Sequence, residues 1–256
     1  MKRTCLLCFL SAFISTSGFA QESASNAIAV LVKAVGTVES STDGNTWTKA
    51  ERGLDLSAGF SLRTMAVSSC VIRFNDGTLL NLKAESQIKL AGARATDVQT
   101  GKLTFAIKTN PAEPFKFVSP TAVGAIKGTE GEFEVSNDET ELSIFSSDRN
   151  DDIADLTRLK DNRTEKLGIG ERVRFTREGR PLRRLLSATE RKTFGERLKT
   201  LRTDSDKGMK FIQRRREQMQ KKLQRPQNAP KTGSLQRQSQ LQQQRQMAKL
   251  RLRLQR

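Results

Sequence analysis

The sequence predicts a mainly β protein in which an all-β domain precedes a basic extension that is helical and then low in complexity. Three observations carry this. Short apolar runs alternate with period two through the first two thirds of the chain. Turn signals separate them at roughly 8–12-residue spacing. The charge also changes sign along the chain: Gln21 to Thr157 holds 13 Lys/Arg against 19 Asp/Glu, a net −6, whereas Arg158 to Arg256 holds 30 against 9, a net +21. An asymmetry of that size implies two parts with separate roles. The organisation read from these features is an export signal over 1–20, a β domain over 27–178, basic amphipathic helices over 185–225 and a Gln/Arg-rich tail over 226–256.

The strands follow in order. Ile28, Val30, Val32 and Ala34 alternate with other residues, as do Cys70, Ile72 and Phe74, then Leu80 with Leu82. Further along come Leu103, Phe105 and Ile107, Phe115 with Phe117, Phe133 with Val135, and Leu142 with Ile144. Asp43-Gly44-Asn45, Asp76-Gly77, Thr100-Gly101 and Asn110-Pro111 supply the turns. No helical period occurs before residue 180, which argues against a βαβ unit and with it a dinucleotide or P-loop fold.

The C-terminal part has another period. Ser187-Ala188-Thr189-Glu190 has capping-box form, and Phe194, Leu198 and Leu201 follow at helical spacing. Phe211, Met219 and Leu223 are expected to continue the stripe after a weak stretch at 204–208, giving one or two helices. Pro226 and Pro230 interrupt, and the tail beyond them reads as disordered when free and helical on a partner.

The first twenty residues read as a secretory signal. Lys2 and Arg3 precede a short apolar core, and Gly18-Phe19-Ala20 places cleavage between Ala20 and Gln21. The core is too short to span a bilayer comfortably. No transmembrane segment is expected once it is removed. Cys70 is then the one cysteine of the mature chain, and its place in an alternating run predicts a buried core thiol.

The chain has no histidine and no tyrosine. Ser-His-Asp and Cys-His catalysis cannot be built from it alone. The glycines of Gly124 to Gly131 lead into Glu132-Phe133-Glu134-Val135, an acidic strand rather than the helix start a phosphate loop needs. Glycine there reads as positive φ or close strand passage. The acids at 138–141 and 148–152 lack the fixed glycine of a calcium loop and read as solvated. Trp47 reads as a core or rim residue rather than a sugar platform. No metal or other cofactor is implied.

From about Val30 to Phe175 an ordered set of short motifs runs through Val35-Gly36-Thr37-Val38, Trp47 with Gly53 and Gly59, Leu62-Arg63-Thr64, and the turn Asp76-Gly77-Thr78. Gly101 opens a strand, Val118-Ser119-Pro120-Thr121-Ala122 with Lys127-Gly128-Thr129 is the most specific piece, and Gly170-Glu171-Arg172-Val173 closes the set. Together these residues resemble the FecR domain of bacterial envelope proteins. Lys127 stands where the family usually has arginine, and the segment 145–165 is charged where a Gly-containing strand is expected. The resemblance implies a compact solenoid-like or sandwich-like domain, with 119–135 as a structural corner, and an interaction or signalling role rather than catalysis. The export signal points to a soluble variant rather than a transmembrane regulator of a sigma factor.

The combined expectation is a non-enzymatic binding or scaffold module of the envelope, periplasmic, surface-bound or secreted. Its partner would be an envelope protein, an anionic envelope polymer or lipid headgroups, or the chain's own acidic β domain. Arg214, Arg215, Arg216, Lys221 and Lys222 are the candidate anion-binding residues of the extension. Nucleic acid is disfavoured, because aromatic residues for base stacking are sparse there and the chain is exported. The alternative is a soluble periplasmic component of a FecR-type regulatory system. A carboxylate-based glycan hydrolase using Glu132 and Glu134 is the least favoured reading.

Overall fold

The computed structural model describes residues 26–148, 153–224 and 232–254. The stretch read as an export signal, with Ala20 and Gln21, lies outside the described residues. Seventeen strands and two helices make up the described fold. The strands form two sheets that share one long strand, β9 (Ala95–Ala106).

The first sheet runs β4 (Asp55–Ser57), β1 (Ala27–Val35), β6 (Ser69–Phe74), β7 (Leu79–Leu82), the second half of β9, β12 (Thr129–Ser136), β13 (Glu139–Ser147), β16 (Glu171–Thr176) and β17 (Leu182–Leu185). All its pairings are antiparallel. The second runs β3 (Thr48–Lys49), β2 (Val38–Ser41), β5 (Ser61–Thr64), β8 (Gln87–Gly92), the first half of β9, β10 (Phe115–Val118), β11 (Ala122–Ile126), β14 (Ala154–Arg158) and β15 (Thr164–Leu167). Only the β9–β10 pairing is parallel. The charged segment 145–165, where no Gly-containing strand was legible, supplies the end of β13, β14 and the start of β15.

The chain changes sheet repeatedly, and the changes are made at tight corners. Gly36 faces Ser68, Gly101 faces Ser86, and Gly128 faces Thr109, each so closely that an added Cβ would collide with the facing hydroxyl side chain. The Ser68 hydroxyl accepts from Thr37 N–H at 2.9 Å and the Ser86 hydroxyl from Lys102 N–H at 3.0 Å. Gly101 at φ 96° and Gly128 at φ 93° sit in backbone that a side chain would strain. At Gly101 the turn lies inside β9, which is how one strand serves both sheets.

Between the sheets lies the main core, formed by the alternating residues of both. Phe74, Phe105, Phe115, Phe117, Phe133 and Phe175 are all essentially inaccessible. Phe117 touches Phe105, Phe115 and Phe133 with ring centroids 5.0–5.2 Å apart. Cys70 lies in this core, as its place in the alternating run predicts.

The outward face of the first sheet carries a second apolar cluster of Val32, Val71, Leu79 and Phe145, and α1 (Ala188–Leu223) covers it. The helix opens at the expected capping box: the Ser187 hydroxyl accepts from Glu190 N–H, and the Glu190 carboxylate accepts from Ser187 N–H at 2.9 Å. It is a single helix of 36 residues. Its buried side is Phe194, Leu198, Leu201, Ser205, Gly208 and Ile212, a spacing alternating four and three. Two expectations are corrected here. The weak stretch at 204–208 is not a break; it is where the helix lies closest to β1, and a Cβ on Gly208 would overlap the Val32 carbonyl oxygen. Phe211 also does not continue the stripe, because Ile212 occupies that phase. Phe211 is 44% exposed and lies under the Arg52 guanidinium, 4.1 Å from its ring centroid.

The second helix, α2 (Thr232–Leu254), lies in the tail that the sequence reads as helical on a partner. Its residues are mostly Gln, Arg, Leu and Met, and no proline falls within it, so propensity alone favours the helix. Two glycines of α1 give contrasting tests. Gly208→Val is expected to cost about 3 kcal/mol by overpacking the contact with β1. Gly195, with open space around it, is expected to tolerate Ala with a gain of up to about 1 kcal/mol. Urea denaturation followed by Trp47 fluorescence would measure both.

Candidate functional site

The seam between α1 and the first sheet concentrates charge around an apolar strip. β12 projects Phe133 and Val135 inward and Glu132 and Glu134 outward, since successive side chains alternate. Glu132 is 4% exposed, yet Lys102 Nζ lies 3.0 Å away and Arg197 Nη1 3.1 Å away. Glu134 pairs with the same Lys102 at 3.2 Å. Arg202 pairs with Glu130, Lys33 with Asp204 at 2.6 Å, Arg73 with Asp206 at 3.3 Å, and Arg216 with Asp55 at 2.5 Å. Burial opposes the charge of Lys102, but Glu132 and Glu134 hold its ammonium above the ordinary lysine value. Burial lowers the neighbouring Lys83, as do Arg197, Lys102 and Lys33, with Glu132 opposing. The acidic β domain is thus itself a partner of the basic helix.

The outer acids of β13 are likewise engaged. Glu141 receives Arg172 at 3.1 Å and Arg174 at 3.0 Å, Glu139 pairs with Arg174 at 3.6 Å, and Asp138 with Arg177 at 3.4 Å. These carboxylates serve cross-strand ion pairs. Residues 149–152 of the second acidic run lie outside the described residues. Among the described residues, no group of three or more cysteines, aspartates or glutamates is placed to hold a metal ion.

The motif residues have structural partners. Asp76 accepts from Thr78 N–H at 2.8 Å and from its hydroxyl at 3.1 Å, closing the turn at Gly77. Arg94, 7% exposed, donates to Asp76 and to the carbonyls of Lys108 and Glu113 at 3.1 and 3.0 Å. Pro120 sits in the β10–β11 turn, where the Ser119 and Thr121 hydroxyls meet Thr140 at 2.6 and 2.5 Å. Lys127 reaches Asp155 at 3.3 Å, and Thr129 pairs with Ser147 at the start of β12. Gly170 donates to Ile144 and accepts from Leu186, tying the last strands to β13. The stretch 119–135 is therefore a built corner. Arg94 and the cross-seam pairs were missed by sequence reasoning. Ser205 and Gly208 at the stripe's own spacing were the legible sign of a close helix–sheet contact.

Two cavities flank these features. One of about 350 Å³ lies beside Pro120, Arg158 and Arg177. Arg158 is held there by Asp161, whose carboxyl its hydrogen bonds depress to about 2. The other, about 410 Å³, lies under α1 between Lys108, Asp148, Arg202 and Asp206. Trp47 is half-buried, its ring covered by the Arg63 guanidinium at 4.1 Å. At the corner beside Gly36, Val35, Met65 and Val67 are 44%, 36% and 94% exposed. Val67 has φ 56°, a left-handed backbone that a β-branched residue rarely adopts.

Residues 60–148 match the family model described as FecR protein. The FecR match spans β5 to β13 and so includes the shared strand, the Asp76-Gly77-Thr78 turn and the 119–135 corner. Two solved structures described as a "putative anti-sigma factor from Parabacteroides distasonis ATCC 8503", at 1.65 and 2.50 Å resolution, are similar at 13% identity and a TM-score of 0.44. Each alignment covers 50% of this chain and 61% of the other chain. No curated protein sequence matches.

Arg214, Arg215, Arg216, Lys221 and Lys222 all lie on the exposed last turns of α1. Arg216 faces Asp55, and Arg215 acts on Glu51. Arg214, Lys221 and Lys222 make no ion pair with described residues.

Glu132→Ala is expected to cost about 1–2 kcal/mol, because it removes the buried carboxylate that Lys102 and Arg197 share, although both cations stay partly exposed and Lys102 keeps Glu134. Glu134→Ala, half-exposed, should cost less than about 1 kcal/mol. Thermal unfolding of the two variants checks the contrast. Burial pushes the Cys70 thiol up to about 12, so native protein should resist iodoacetamide at neutral pH and react fully in urea, as read by mass spectrometry.

Proposed function

We propose that the protein is a non-enzymatic, exported FecR-type regulatory component of the bacterial envelope. Its β domain recognises another envelope protein, and its basic C-terminal segment holds it to an anionic surface or partner. The FecR match over residues 60–148 carries this reading. The ion pairs support it, since the carboxylates offered by the sequence as catalytic candidates, Glu132 and Glu134, share Lys102. The exposed corner of Val35, Met65 and Val67, two of whose residues fall within the matched segment, suits contact with a protein.

Because β17 and α1 complete the first sheet and its cover, a truncation must fall after Arg216 to leave the β domain intact. Cross-linking in intact cells with the full chain and the chain stopped after Arg216 should capture the same envelope protein. Val67→Asp should weaken that capture. Capture that disappears with the truncation, or a chain that hydrolyses envelope glycans, would overturn the reading.

A further inference from the structure

The charge and apolar pattern of α1 does not stop where the β domain does. Ile212 is its last buried residue and Arg216 its last cross-seam ion pair. Every residue from 213 to 224 is exposed. Met219 and Leu223 lie seven and eleven positions after Ile212, in the phase of the buried stripe, and are 59% and 82% exposed. About 10 Å of helix thus extends past Arg216 with its apolar side uncovered.

At 100° per residue, Arg215, Arg216 and Lys222 flank this stripe, and Arg214 and Lys221 lie behind it. Glu217 is the one acid between 207 and 224. An uncovered apolar stripe bordered by lysine and arginine suits an anionic bilayer surface, where the apolar side enters the headgroup boundary and the cations meet lipid phosphates. A second copy of the same helix end would oppose like charges, so self-pairing does not fit.

We propose that the end of α1 is an interfacial anchor for an anionic lipid surface, with Met219 and Leu223 entering the headgroup layer and Arg215 and Lys222, which flank the stripe, engaging phosphates. This rests on the anchoring half of the function proposed above and names its partner. The anchor begins where the β domain ends, because Arg197, Arg202 and Arg216 are already held by the domain's own acids.

The test is flotation of the full mature chain with vesicles of 30% phosphatidylglycerol in phosphatidylcholine, and with pure phosphatidylcholine as control. Binding is expected only to the anionic vesicles. Arg215→Gln with Lys222→Gln should weaken it about twenty-five-fold, at roughly fivefold per charge. Met219→Ser with Leu223→Ser should weaken it at least tenfold. All four positions are exposed, so folding should be unaffected, which circular dichroism would verify. Absence of binding to anionic vesicles overturns the proposal. So does binding that Met219→Ser/Leu223→Ser leaves unchanged, or that soluble polyglutamate abolishes outright, since charge alone would then explain it. The protein partner captured by the chain stopped after Arg216 is measured separately, so the two readings can fail independently.

Discussion

The outer face of the first sheet sets the terms for the rest of the molecule. It is apolar along Val32, Val71, Leu79 and Phe145 and acidic beside them at Glu130 and Glu132. Water would leave the apolar strip exposed, and a purely apolar cover would leave buried carboxylates without partners. A helix with one apolar stripe and arginines at its margins answers both requirements. Phe194 stacks on Phe145 with centroids 3.9 Å apart, while Arg197 and Arg202 meet the two glutamates. The opposite charges of the two halves of the chain are therefore in part a folding device.

That cover depends on how the sheets are built. Strands must leave one sheet for the other within very few residues, and the corners at Gly36, Gly101 and Gly128 allow this by admitting a neighbouring hydroxyl where a Cβ would stand. The alternation of β9 and β12 then sends phenylalanines inward and polar residues outward. Arg94 fixes the Asp76 turn from inside, with three acceptors on neighbouring loops. The core, the corners and the helix seat are one connected packing problem.

Functionally, the seam divides the basic residues of α1 into two groups. Arg197, Arg202 and Arg216 pair with acids of the β domain, whereas Arg214, Lys221 and Lys222 are exposed and make no ion pair with described residues. Net charge alone cannot make this distinction, because it counts Arg197 and Lys221 equally. The segment that matches the FecR model lies wholly within the β domain and does not include α1.

Much of the fold was legible before any coordinates. The period-two runs, the turn glycines and the Ser187–Glu190 capping box are local signals, decided by residues within a few positions of one another, and each appears where its pattern predicts. The alternating run Cys70, Ile72, Phe74 likewise placed Cys70 in the core. The tertiary structure alone decided which charges meet. Glu132 and Arg197 are 65 positions apart, and Lys33 and Asp204 are 171 apart. It also decided that 204–208 is a contact rather than a break, because Gly208 looks like a helix weakness until β1 lies against it. Local periodicity specifies which side of an element is apolar; which element covers that side depends on long-range packing that no sequence window contains.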